Sequence, residues 1–132
     1  MNTSYKNKSI MIVDDSEFSK KTMAKILKDN GFNVKAEAGS AEEAISILKN
    51  IHCDLFIIDI VMPETSGLEL AKIIKESTSD PKIIMISSLT EETIIMDAIN
   101  NGAQDFIQKP FAPKTLITSI TKLLSHTHEK LL

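Results

Sequence analysis

Asp14 and Asp15, Asp59, Ser87 and Lys109 are the side chains whose types and spacing could do chemistry together. Each follows a short apolar run: SIMIV precedes the acidic pair, LFII precedes Asp59, KIIMI precedes Ser87 and DFIQ precedes Lys109. Three carboxylates brought together repel one another, and at least one pKa rises unless a cation intervenes. An all-oxygen set beside solvent suits Mg2+ or Mn2+; Mg2+ keeps several waters and takes only one or two carboxylates from a protein. One divalent cation and the Lys109 ammonium would balance the three negative charges, leaving a cluster able to accept a phosphoryl group. A carboxylate can take such a group as an acyl phosphate. The transfer asks the protein for little beyond positioning and charge neutralisation. Asp59 is the best candidate nucleophile, because it lies between the acidic pair and the Ser87/Lys109 side.

The elements that would hold these residues can be read along the chain. Ser9 to Val13 has no polar alternation and predicts a strand buried on both faces. Ser16 then caps a helix to about Asn30, with Phe18, Thr22, Met23, Ile26 and Leu27 as its apolar face and Gly31 as its stop. Phe32 to Ala38 is a weaker strand. Ser40 with Glu43 forms a capping box, opening a helix whose inner face is Ala44, Ile45, Ile47 and Leu48. Leu55 to Ile58 is a strand ending at Asp59, and a helix from about Leu68 to Lys75 follows Pro63 and Gly67. Lys82 to Ile86 is the fourth strand, Glu91 to Asn101 the fourth helix, and Asp105 to Gln108 a short fifth strand. Pro113 opens the last helix, which is expected to run to about Leu124.

Five repeats of strand then helix predict an α/β, doubly wound parallel sheet covered on both faces. Ligands of such sheets bind beyond the carboxyl ends of the strands. All the polar candidates fall on that edge. One domain spanning 1–132 is expected, with a core of about 9–124 and polar tails at 1–8 and 125–132.

Bulk properties narrow the function classes. The net charge of -3, with basic residues spread along the chain, argues against nucleic-acid binding. Cys53 is a lone cysteine beside an apolar segment, expected as a buried structural thiol. No apolar run approaches the ~20 residues needed to cross a bilayer, and Met1 to Lys8 lacks the apolar middle of a signal peptide. A cytoplasmic setting without membrane insertion is the expectation. His126 and His128 have no third ligand nearby and read as part of a mobile tail, and His52 as a loop or strand-edge residue. No histidine reads as a phosphodonor.

Each candidate has a plainer explanation when taken singly. Asp14, Asp15 and Ser16 could merely cap a helix, Asp59 could be a turn former, and Lys109 a solvated lysine. Their joint placement on one sheet edge is what these explanations fail to cover. A haloacid-dehalogenase-like phosphatase would need a second aspartate two residues beyond the nucleophile, where Val61 stands.

The stretches IMIVDDS, LFIIDIVMPETSG, IIMISS and GAQDFIQKPF resemble, in order and spacing, the receiver domains of two-component response regulators, from about Ser9 to Leu124. The likeness is greatest to the stand-alone chemotaxis type. It implies the flavodoxin-like strand order 2-1-3-4-5, which periodicity alone does not give. It implies that Asp59 is phosphorylated by a histidine kinase. Asp15, Asp59 and the Val61 backbone carbonyl would bind Mg2+ directly, with Asp14 helping through water. Ser87 and Lys109 would hold the phosphoryl oxygens, Phe106 would be the aromatic switch, and Lys109–Pro110 would be cis. Signalling would pass through the face of helix 4, strand 5 and helix 5 to a partner, such as a flagellar motor switch component or a phosphorelay phosphotransferase. Ser125 to Leu132 is too short for a DNA-binding output domain, so no direct DNA binding is expected. A docking module that no longer turns over phosphate is the competing expectation. Two features depart from the family pattern: Phe106 lacks the hydroxyl of a tyrosine, and Val61 and Leu89 are apolar where polar side chains would help a hydrolytic water.

Overall fold

The structure is a computed structural model that describes residues 7–129, and the side chains of 7–125. The elements in chain order are β1 (Ser9–Val13), α1 (Glu17–Asp29), β2 (Asn33–Ala38), α2 (Ala41–Leu48), β3 (Leu55–Asp59), α3 (Gly67–Ser77), β4 (Lys82–Ser87), α4 (Glu92–Asn100), β5 (Asp105–Gln108) and α5 (Pro113–Glu129). All strand pairings are parallel, and the order is β2-β1-β3-β4-β5. This is the expected flavodoxin-like arrangement. The chain winds outward from β1 to β2, then reverses to β3, so the switch point lies between β1 and β3.

The apolar runs explain the layering. In β1, Ile10 and Ile12 face one side, where they pack with Leu55, Ile57, Ile84 and Ile86 of neighbouring strands, Met23 and Leu27 of α1, and Leu116 and Ile120 of α5. Met11 and Val13 face the other, with Phe56, Ile58, Ile83 and Met85, beneath Ala44 of α2, Leu70, Ala71 and Ile74 of α3, and Ala98 of α4. Strands covered on both sides have no polar alternation, which is why β1, β3 and β4 are wholly buried. Each fully buried Leu or Ile contributes roughly 1.5–3 kcal/mol. The β2 strand lies at the margin and alternates exposed with half-buried residues over 33–36, with Ala38 buried at its end.

Helix starts follow their capping residues. The Ser16 hydroxyl accepts from the Ser19 N–H at 3.2 Å, and that of Ser40 from the Glu43 N–H at 3.0 Å. The return arm of the predicted capping box goes one residue further back, from the Gly39 N–H to Glu43 Oε1 at 2.7 Å. Gly31 sits at φ 84°, in the left-handed position that ends α1.

Four expectations need correction. Phe18 and Thr22 are exposed, Phe18 by 82%, and α1 buries Met23, Ala24 and Leu27 instead. The Phe18 ring lines a surface groove with Ile26, Pro110 and Phe111 rather than the core. On α2 the fully buried positions are Ala41 and Ala44, and Ile45, Ile47 and Leu48 pack only partly. The third helix begins earlier than periodicity indicated, because Ser66 caps it, accepting from the Glu69 N–H at 3.3 Å, and it continues to Ser77. Finally, α5 continues to Glu129, so the segment expected as a mobile tail from Ser125 is helical that far; the His126 and His128 side chains and residues 130–132 lie outside the described residues.

Candidate functional site

Asp14 follows β1 and is fully buried. Its backbone N–H donates to the Ala38 carbonyl at 3.0 Å, extending the β1–β2 ladder past the strand. Its Oδ1 accepts from the Ser16 N–H at 2.9 Å, and its Oδ2 from Lys109 Nζ at 2.9 Å. The same ammonium lies 3.7 Å from Asp59 Oδ2. Lys109 is held in reach because its N–H donates to the Ser87 carbonyl at 2.9 Å, just beyond β5. The Lys109–Pro110 peptide is cis, as the resemblance implied.

Asp59 is the last residue of β3 and is 8% exposed. Burial, reinforced by the negative charge of Asp14, pushes its carboxyl up to about 6; Lys109 opposes this, Asp15 adds to it, and a hydrogen bond from the Val61 N–H also opposes it. Asp15 is exposed. Carboxylate oxygens of Asp14, Asp15 and Asp59 all lie within 4.8 Å of one another. A divalent cation fits this set: the donors are all oxygen, one is open to solvent, and three carboxylates meet with the Lys109 ammonium in ion-pair reach of two of them. Asp15, Asp59 and the Val61 carbonyl could hold such an ion, with Asp14 close behind.

Ser87 closes β4 one residue beyond Ile86, the register partner of Asp59. It is fully buried, and its hydroxyl accepts from the Leu89 N–H at 2.9 Å. Phe106 is half-buried and packs against the core on the α2–α4 side. Val61 and Leu89 are exposed, by 54% and 40%. Cys53 is buried, and burial pushes its thiol up to about 11, so it is not a nucleophile at neutral pH.

Three contacts around the site are not apparent from element patterns. Gly67 packs directly under the Asp59 backbone: a Cβ there would meet the Asp59 carbonyl oxygen at 2.3 Å. Its place after the β3 turn was the only sequence signal, and it reads equally well as a helix breaker. Thr65 donates to Glu42 across 23 residues, and Ser119 of α5 donates to the Asp105 carboxylate, whose other oxygen accepts from the Phe106 N–H at 2.8 Å. Long-range side-chain pairs of this kind leave no periodic trace.

Residues 10–121 match the family described as the response regulator receiver domain. The chain belongs to that family. As a receiver it is 40% identical over 116 residues to the chemotaxis protein CheY of Bacillus subtilis (strain 168), covering 88% of this chain and 97% of the relative. It is 34% identical to CheY of Thermotoga maritima over the same shares. Among solved structures, a CheY-like receiver from Methanospirillum hungatei JF-1 superposes with a TM-score of 0.86 at 28% identity, covering 93% of this chain and 98% of that one. The CheX–CheY–BeF3–Mg complex from Borrelia burgdorferi gives a TM-score of 0.83 at 32% identity, covering 88% of each chain. Among the receiver's described residues, no helix is long and apolar enough to cross a membrane.

Proposed function

We propose that this receiver accepts a phosphoryl group on Asp59 from a histidine kinase in the cytoplasm, with Mg2+ or Mn2+ held by Asp14, Asp15, Asp59 and the Val61 carbonyl. The observation that carries the reading is the meeting of three carboxylates within 4.8 Å, with Lys109 bridging two of them. A bound divalent cation would supply the remaining positive charge and orient the donor's oxygens.

The chain's own residues then do the following. An ionised Asp59 oxygen attacks phosphorus, the phosphorus–nitrogen bond of a phosphohistidine breaks, and the imidazole leaves with that electron pair. Lys109 stays beside the new acyl phosphate. The Ser87 hydroxyl turns toward it, giving up its bond to the Leu89 N–H and drawing the β4–α4 loop inward. Phe106 responds by deeper burial, which alters the α4–β5–α5 face through a population shift. That face reads out to a protein partner in chemotaxis or motility, such as a flagellar motor switch component. Support comes from the similarity to CheY proteins over nearly the whole chain.

Labelling with radioactive acetyl phosphate tests this directly. Incorporation is expected with Mg2+, lost with EDTA, and lost in Asp59→Asn. Undiminished labelling of Asp59→Asn would refute the assignment.

A further inference from the structure

The loop from β3 to α3 carries Val61 and turns sharply. Its base is closed by the Gly67 N–H donating to the Ile60 carbonyl at 2.8 Å. Glu64 adopts φ 65°, a left-handed conformation that a non-glycine residue holds only when its surroundings impose it. The next residue is the one that reaches out. Thr65 Oγ1 donates to Glu42 Oε2 at 2.6 Å, in the first turn of α2. Among the described residues this is the only side-chain hydrogen bond from residues 60–66 to another helix. The bond holds the Glu42 carboxyl below the usual carboxylate range.

The first turn of α2 is itself fixed to the acidic pair. The Asp14 N–H donates to the carbonyl of Ala38, the next residue, Gly39, donates to Glu43 Oε1, and Glu42 receives Thr65. Three hydrogen bonds therefore run from the backbone of Asp14, through the start of α2, to the loop that presents Val61. Glu42 belongs to none of the carboxylates gathered at the site, and its hydrogen bond from Thr65 is what ties it to the loop.

We propose that Glu42 is a positioning residue: by holding Thr65 it fixes the Val61 loop relative to Asp14 and Asp15, and so sets the affinity of the acidic cluster for a divalent cation. This rests on reading that cluster as a metal site. An ordinary surface hydrogen bond would leave cation affinity unchanged even where its loss quickens the loop.

The test uses the whole chain without phosphodonor, and two readouts: Mg2+ titration followed by backbone amide chemical shifts, and amide hydrogen exchange of residues 61–66 in metal-free buffer. Thr65→Val and Glu42→Ala are each expected to weaken Mg2+ binding about threefold, the low end of what one net hydrogen bond contributes, and to speed loop exchange. Thr65→Ser and Glu42→Gln keep a donor and an acceptor and should stay near the unaltered protein. The double variant Thr65→Val/Glu42→Ala should be no weaker than either single one. Unchanged Mg2+ affinity overturns the proposal even if exchange quickens. So do losses that add in the double variant, or a Glu42→Gln loss equal to that of Glu42→Ala, which would mark a bare charge effect. Failure of the unaltered protein to bind Mg2+ would instead overturn the metal-site reading itself, before any variant is compared.

Discussion

Gly67 and Asp59 are packed backbone to side-chain position: a Cβ on Gly67 would lie 2.3 Å from the Asp59 carbonyl oxygen and 2.9 Å from its carbonyl carbon. No rotamer relieves a clash between a Cβ and a main chain. Gly67→Ala must displace either the start of α3 or the end of β3. A loss of about 2 kcal/mol or more in urea unfolding is expected, together with reduced acetyl phosphate labelling, because Asp59 moves with its backbone. Unfolding at the normal urea midpoint would show that the contact relaxes freely.

Removing the charge of Asp59 should stabilise the metal-free protein. Its folded pKa is raised to about 6, above the ordinary aspartate value of 3.8. The folded state therefore holds this proton more tightly than the unfolded chain. The favourable contribution is complete below about pH 4 and is lost as pH rises through 6, so at pH 7 the ionised group is a net cost on the order of 2–3 kcal/mol. Asp59→Asn should melt several degrees higher than the unaltered protein at pH 7 in EDTA. The gap should close near pH 4 and narrow on adding Mg2+. Equal melting temperatures across pH 4–7 would contradict the raised pKa and the burial that causes it.

Lys109 is the cation paired with a fully buried carboxylate, since Asp14 Oδ2 accepts from it at 2.9 Å. Lys109→Met leaves that carboxylate without its partner. The expected cost in EDTA is about 3 kcal/mol by thermal or urea unfolding, partly recovered by millimolar Mg2+. A variant as stable as the unaltered protein in EDTA would show that Asp14 needs no compensating charge.

Val61 and Leu89, two residues beyond Asp59 and Ser87 respectively, are exposed and apolar. Neither can hydrogen-bond a water aimed at phosphorus. The acyl phosphate should therefore persist for minutes rather than seconds, and Val61→Asn with Leu89→Gln should shorten its life about tenfold, the scale of one net hydrogen bond to the water. Decay within seconds in the unaltered protein would remove the argument.

Phe106 offers a partner only its ring. Phe106→Tyr adds a hydroxyl at a half-buried position, and affinity for a CheY-binding partner, measured with beryllofluoride, should remain within about twofold if packing alone gates the face. A larger gain or loss would mean that the missing hydroxyl matters to recognition.

Most of the fold was legible because buried parallel strands write themselves as uninterrupted apolar runs, and β1 and β5 lie where SIMIV and DFIQ place them. Helix faces were less so. Phe18 satisfies the helical spacing of a core residue, yet the first turn of α1 stands beyond the sheet, where the ring lines a groove instead. Spacing reports an angle around the helix axis and not a position along it. The carboxyl edge was legible in Asp14, Asp15, Asp59 and Lys109, because topology alone carries strand ends to one place. The pairing of Lys109 with Asp14, the Thr65–Glu42 bond and the Asp105–Ser119 bond depend on tertiary geometry that no single segment encodes.

The strand ladders do not stop where the strands do: Asp14 bonds to Ala38, Ile60 to Ile86 at 2.9 Å, and Lys109 to Ser87. The acidic rim is thereby continuous with the hydrogen-bonded sheet, while the loop that presents Val61 is tied across to α2 by the Thr65–Glu42 bond. A phosphoryl charge placed on Asp59 would therefore press on a continuous sheet, and any shape change it provoked would fall to the neighbouring loops.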